Sequence, residues 1–215
     1  MTAQISPDSL HRLVKHAIDS GAAASVAEAV ALFQCYRLDV EIDPAATVDP
    51  VQQAALLTTI ALGRRVFLGG VTVIGPLKAP LKLALPLGRT LADAVQTLGG
   101  EIGEALADTP TIVIGGGPRK RREGFCLRTV ASGWRGGIVP IYSELTTDGG
   151  GAMPLSGMLA AGLAVNEAFL FVNGGMPAAG RRAVGLSLWR PDREVDWLQP
   201  DESEPALTYL PSHLW

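Results

Sequence analysis

Few side chains in this 215-residue sequence could do chemistry, and they lie scattered. Cys35 and Cys126 stand far apart, with no CxxC pair. A thiol nucleophile needs a neighbour that lowers its pKa, and Cys126 lies in an apolar strand with no histidine near it in sequence. A buried structural thiol is therefore the reading at Cys126, and the same is expected of Cys35 at the end of an amphipathic helix. His11 and His16 are five apart on one predicted helix and point from different faces, while His213 is alone in the tail. Ligation from a helix asks for i, i+3 or i, i+4 spacing and a further carboxylate or thiolate, so no metal site is expected. Arginines offer more. "GGGPRKRR" (115–122) joins glycine amides to Arg119 and its neighbours, a combination that suits an anion, although a flexible basic loop is the preferred reading. "SGWRGG" (132–137) sets Trp134 and Arg135 between glycines, side chains that anchor protein interfaces, with a tryptophan folded back on the core as the equal alternative. Arg128 lies between these two loops.

Charge and composition limit the partners. The formal net charge is −3, and the run Arg119-Lys120-Arg121-Arg122 is followed at once by Glu123, so no nucleic-acid surface is expected. Hydrophobic residues make up 47% and charged residues 18%, enough for a sizeable core. No signal peptide is visible and the cysteines are unpaired in pattern, which points to the cytoplasm and reduced thiols. The longest apolar stretch, "PLSGMLAAGLAVNEAFLFVNGG" (154–175), contains Asn166-Glu167 and many small residues, so it reads as a buried helix and no membrane span is expected. Glu167 has two readings: a polar anchor in a crowded place, or, as preferred, a side chain reaching solvent from an amphipathic helix. Asn166 and Glu167 point about 100° apart in either case.

These groups must be positioned by a regular scaffold. Ser6-Pro7 opens a helix that Gly21 ends, and Ser25 with Glu28 forms a capping box for a second helix to about Gln34. Tyr36, Leu38, Val40 and Ile42 alternate with polar residues as in a half-buried strand. Asp49-Pro50 caps the helix "VQQAALLTTIALGRR", and "RVFLGGVTVIG" reads as one or two buried strands. Prolines 76, 80 and 86 mark an irregular stretch; a helix is expected from about Thr90 to Leu106. "TPTIVIGGG", "FCLRTVASGW", "GGIVPIYSE" and "RRAVGLSLWRPD" supply the later strands. Alternating strands and helices predict an α/β fold, Rossmann-like, with a mainly parallel sheet and flanking helices. The divisions expected are a helical appendage (1–35), the main domain (36–195) and an extended tail or linker (196–215).

In such a fold the first strand-to-helix turn is where a nucleotide binds. Here that turn, "DPAATVDPVQQ", has no glycine and carries Asp43 and Asp49, which would repel phosphate; the next strand end, "VTVIGPLK", lacks an acidic ribose contact. No cofactor is expected.

The order of pieces resembles the adenylating domain shared by ThiF, MoeB and the E1 enzymes that activate ubiquitin-like proteins. "LLTTIALGRRVFLGGVTV" resembles that family's first helix passing into its second strand, and "TPTIVIGGG" the strand before its substrate-contacting loop. "LRTVASGWRGGIVPI" is similar to its next strand, glycine turn and strand, and "MPLSGMLAAGLAVNEAFLFVNG" to its late helix, with "RRAVGLSLWRPD" as the strand after it. The resemblance covers about residues 36–195. The glycine-rich ATP loop, the acidic ribose contact, the Asn-Leu-x-Arg segment and the paired CxxC zinc ligands of that family are all absent, so no catalytic residue carries over. The resemblance thus implies a catalytically inactive domain serving dimerisation or partner binding in a bacterial ubiquitin-like conjugation or sulfur-carrier activation system. Its implied partner is an adenylating domain, fused or in trans, or a second copy, with a ubiquitin-like or E2-like protein as a further candidate. "ALTYLPSHLW" resembles the lead-in to such a following domain, which implies a longer protein. The recurring small residues Gly157, Ala160, Ala161, Ala164 and Ala168 are expected to let the partner approach. Arg119, Arg128, Trp134, Arg135 and Glu167 are the candidate interface or anion-binding residues. Two other readings stay open: an anionic-substrate site between loops 115–122 and 132–137, and an assembly module in an unrelated α/β fold.

Overall fold

A computed structural model describes residues 7–145, 151–192 and 196–207, with side chains from Arg12 onward. Its seven strands form one sheet in the order β3-β2-β1-β4-β5-β6-β7. These are β1 (Arg37–Ile42), β2 (Gly70–Ile74), β3 (Glu101–Ile102), β4 (Thr111–Ile114), β5 (Cys126–Ser132), β6 (Arg135–Pro140) and β7 (Val184–Ser187). The first five strands in that order are parallel, and β6 and β7 add antiparallel to the β5 edge. The mainly parallel α/β sheet expected of the sequence is the sheet observed.

The helices are α1 (Pro7–Asp19), α2 (Val26–Cys35), α3 (Pro50–Gly63), α4 (Leu91–Thr97) and α5 (Pro154–Val172). Right-handed crossovers decide which face each connection covers. From β1 through α3 to β2, and through α4 to β3, the chain moves toward one edge and lays both helices on one face. It then reverses: β3 to β4 and β4 to β5 must cross on the opposite face. For those crossings the chain has only residues 103–110 and 115–125, each shorter than an ordinary helical crossover, and both run as loops. The helix face is closed by α5, which packs along α3. Leu38, Val40 and Ile42 of β1, Val71 and Val73 of β2, Ile112 and Ile114 of β4 join Leu56, Ile60 and Ala164 in one core there. The alternate residues, Asp39, Glu41, Cys126, Arg128 and Arg135, therefore fall on the loop face.

Local chemistry explains the element ends. Asp49 accepts from the amide of Val51 at 2.8 Å and caps α3, with Pro50 at its first position. Thr90 and Asp93 form a reciprocal capping box for α4. That helix ends at Thr97, not near Leu106, because Gly99 takes a left-handed φ of 80° and Gly100 follows, leaving room for β3. "RVFLGGVTVIG" yields one strand rather than two, since Val66 and Phe67 donate back to the Gly63 carbonyl in turns. At Ser25 the amide of Glu28 donates to the hydroxyl at 3.2 Å, while the Glu28 carboxylate takes the amide of Ala24, one residue before the expected cap. α1 and α2 enclose a small core of their own, Val14, Ala17, Ala29 and Phe33, which abuts Tyr36, Leu68 and Phe169.

The described part of the tail, residues 196–207, packs on the sheet. Trp197 is 8% exposed and lies across Gly137 and Gly185 so closely that neither could carry a Cβ. The Trp134 indole donates to the Pro205 carbonyl at 2.8 Å, and Glu204 accepts from Ser187 at 3.1 Å and pairs with Arg135 at 3.5 Å. Residues 196–207 thus cover the loop face over β6 and β7. Residues 208–215, including His213, lie outside the described residues.

Candidate functional site

In a sheet of this order the ligand crevice opens where strand order reverses, at the carboxyl ends of β1 and β4. Two loops meet there. A 3₁₀ turn, Pro44–Val48, follows β1; Asp43 caps it by accepting from the amide of Ala45 at 3.0 Å. Gly115 and Gly116 follow β4 with φ of 76° and 73°. A Cβ on Gly115 would meet the Cβ of Ala46 at 2.6 Å, and one on Gly116 would meet Asp43 Oδ2 at 2.9 Å. The glycines therefore let the protein's own turn approach, where a nucleotide fold uses glycine to admit phosphate. Ala46 is 5% exposed and Thr47 is 5% exposed, so the turn plugs the crevice.

Arg119, the candidate anion ligand of the 115–122 loop, is committed to this plug. Its guanidinium donates to Glu41 at 2.9 Å and to Asp43 at 3.5 Å. Arg122 forks onto the same Glu41 carboxylate, one bond being 3.1 Å. Burial pushes the Glu41 carboxyl upward, but the hydrogen bonds and charge of Arg122 and Arg119 outweigh it and hold the group below the usual carboxylate value. Glu41 was legible only as the polar partner in the β1 alternation. Gln53 carries no sequence signature of a site: fully buried on α3, it donates to the carbonyls of Thr47 and Pro80 at 2.8 and 2.9 Å and accepts from the Lys82 amide at 2.7 Å. One carboxamide thus ties the plug to the proline-rich stretch; the Gln52-Gln53 pair at the start of an otherwise largely apolar helix was the available signal.

The remaining candidates do not converge with Arg119. Arg128 is 3% exposed and donates to the carbonyls of Ser143 and Leu145, at 3.0 Å for the first. Burial lowers its pKa and leaves Nε without a hydrogen-bond partner among the described residues. Arg135 is also 3% exposed and faces Glu204 under the tail. Trp134 packs against Trp189 with ring centres 5.6 Å apart, folded back on its own chain. Glu167 corrects the solvent-reaching reading: it is 2% exposed, accepts from the Gly180 amide at 2.9 Å and from Arg182 at 3.2 Å. It anchors the turn after α5, and Asn166 is the exposed member of the pair. Cys126 is buried, and burial pushes its thiol up to about 11, which removes it as a nucleophile near neutral pH. Cys35 is exposed instead of buried, its thiol donating to the Ala31 carbonyl at 3.4 Å. No group of three metal-ligating side chains stands together among the described residues.

α5 separates its two faces sharply. The small residues Gly157, Ala160, Ala161, Ala164 and Ala168 are all buried within the chain, against α3 and the sheet; Gly157 touches the Val51 carbonyl too closely for any Cβ. The stripe expected to receive a partner therefore receives α3. The opposite face carries Leu155 (56% exposed), Met158 (43% exposed), Leu159, Gly162 and Asn166 at helical spacing. A Cβ added at Gly162 would meet nothing within 4 Å. Among the described residues α5 is also the one helix long and apolar enough to cross a bilayer, with 44% of that window buried in the fold.

Comparison with known proteins gives two matches. The family model described as the BilD N-terminal domain matches residues 37–188. A protein of Collimonas sp. (strain OK412), named as a bacterial E1-like protein BilD, is 38% identical over 216 residues, covering 100% of this chain and 46% of the relative. The chain spans less than half the length of that relative.

Proposed function

Since the chain belongs to the BilD N-terminal domain family, we propose that it is a catalytically silent half of an E1-like protein, whose work is to hold an adenylating domain. The carrying observation is the outer face of α5. Leu155, Met158, Leu159 and Gly162 form an apolar strip with no neighbour over Gly162 among the described residues, on a helix whose one carboxylate is turned inward to Gly180 and Arg182. Exposed apolar strips of this kind mark protein interfaces. The inactivity reading is supported by the turn that fills the crevice and by Arg119, which is spent on Glu41 and Asp43. The relative extends well beyond the matched length, which supports a second domain as the partner, fused or in trans; a second copy of this chain is the competing partner. The pathway we infer is a bacterial ubiquitin-like conjugation or sulfur-carrier system in the cytoplasm.

The test is association. The chain should form a one-to-one complex with the part of the Collimonas relative outside the matched region, burying more than about 1,000 Å² in total. A Leu155→Glu, Met158→Glu double variant should abolish the complex while its circular dichroism stays unchanged. ATP should produce no thermal shift of the chain alone. A chain that stays monomeric with both partners, or one that ATP stabilises strongly, refutes the reading.

A further inference from the structure

A groove of about 430 Å³ opens at the other end of the sheet, where β5 begins and α5 ends. Residues 121–126 with Ile141 and Tyr142 supply one part of its lining, and Phe171 with residues 179–181 the other. Its floor is apolar: Cys126, Ile141 and Ala179 are buried, and Phe125 meets Phe171 with ring centres 5.1 Å apart. Phe171 and Tyr142 are 41% and 44% exposed at its rim.

Three arginines line this groove against one acid, Glu123, in a chain of net charge −3. Arg122 is spent on Glu41. Arg121 lies over the Tyr142 ring at 5.5 Å, which steers its charge to the rim without neutralising it. Neither Arg121 nor Arg181 has a carboxylate partner among the described residues. Two open guanidiniums beside exposed aromatic rings suit a ligand that is acidic and also carries an apolar side chain. We propose that this groove binds an acidic peptide segment anchored by one aromatic side chain, the carboxylates facing Arg121 and Arg181 and the ring entering against Phe125 and Phe171. A nucleic-acid strand fits less well, because binding of that class rests on many neutralised phosphates, and among the described residues the groove offers two cations without a carboxylate partner.

The probe is a fluorescein-labelled octapeptide of aspartate and glutamate around one phenylalanine, titrated by anisotropy against the full 215-residue chain. Binding is expected, weakening as salt rises from about 50 to 300 mM. Arg121→Glu with Arg181→Glu should weaken it about tenfold or more, and Phe171→Ala severalfold, while Arg65→Glu, exposed and away from the groove, changes little. Circular dichroism checks the fold of each variant. Absence of binding up to about 1 mM, equal binding of a lysine-substituted octapeptide, no loss in the double variant, or tighter binding of an eight-nucleotide oligothymidine would each overturn the proposal.

Discussion

The two faces of the sheet bury their strands by different means. On the helix face, α3 and α5 meet through glycine and alanine, and the strands contribute Leu, Val and Ile. On the loop face two crossovers have no helices, and charges do the fastening: half-buried Glu41 to Arg119 and the exposed Arg122, buried Arg128 to two carbonyls, buried Arg135 to Glu204. Apolar contact is non-directional and tolerates small errors of register. Buried guanidiniums demand that each carbonyl or carboxylate sit where it does, because an unpaired polar group at such depth costs about 1–3 kcal/mol. A short crossover can therefore be held by few residues, at the cost of tolerance to change.

Four perturbations test that contrast. The largest effect is expected on the helix face: Gly157→Val forces a side chain into the Val51 carbonyl and should lose about 3 kcal/mol or more in urea denaturation. A loss below about 1 kcal/mol would show that the helix seam yields. Next, Trp197→Ala strips the cover from Gly137 and Gly185 and should cost about 2–3 kcal/mol, with faster proteolysis of the tail; no change in either would make the tail an ornament. Arg128→Ala should cost about 2 kcal/mol, since two carbonyls lose their donor. Arg128→Met keeps the stem, removes the orphan Nε and should cost clearly less; equal losses would mean that packing alone matters at this position.

The smallest effect separates two carboxylates on one strand. Asp39 is fully buried between Thr72 and Thr111, accepts from the Leu106 amide at 2.8 Å through one oxygen, and has no partner among the described residues for the other. Burial raises its pKa, with nearby Glu41 adding to the rise and the Leu106 amide and Arg37 opposing it. The folded state then holds a proton the unfolded chain has released, so stability from this group declines as pH rises from about 4 through the folded value. Glu41 is lowered and acts in the opposite sense: its contribution is complete above the unfolded value and is lost as pH falls through the folded one. Asp39→Asn should flatten the first decline and leave the second. Urea midpoints across about pH 3–7 that match the parent throughout would remove the distinction.

The sheet was readable because β1 alternates cleanly and because Asp49-Pro50 and Thr90 are strong caps. The predicted helix over 90–106 ran too long because apolar residues continue past Gly99-Gly100, and the pattern alone did not weigh two adjacent glycines above Ile102 and Leu106. Glu167 and the arginines were harder. Whether an ionisable side chain is open or paired depends on segments far away in sequence, as with Glu204 under Arg135 and Glu41 under Arg119. The stripe of alanines on α5 showed that something packs closely; only the fold shows that α3 does so, and that Leu155 and Met158 face outward instead.

The tryptophan lying on two glycines also has a place in time. Strands β1 to β6 and helices α3 to α5 precede Trp197 in the chain, so they leave the ribosome first, and the helix face has all its partners before the tail exists. Until Trp197 arrives, β7 is an unshielded outermost strand beside an open glycine floor, the kind of edge on which a neighbouring nascent chain can pair. The tail closes that interval by covering the glycine floor of β6 and β7.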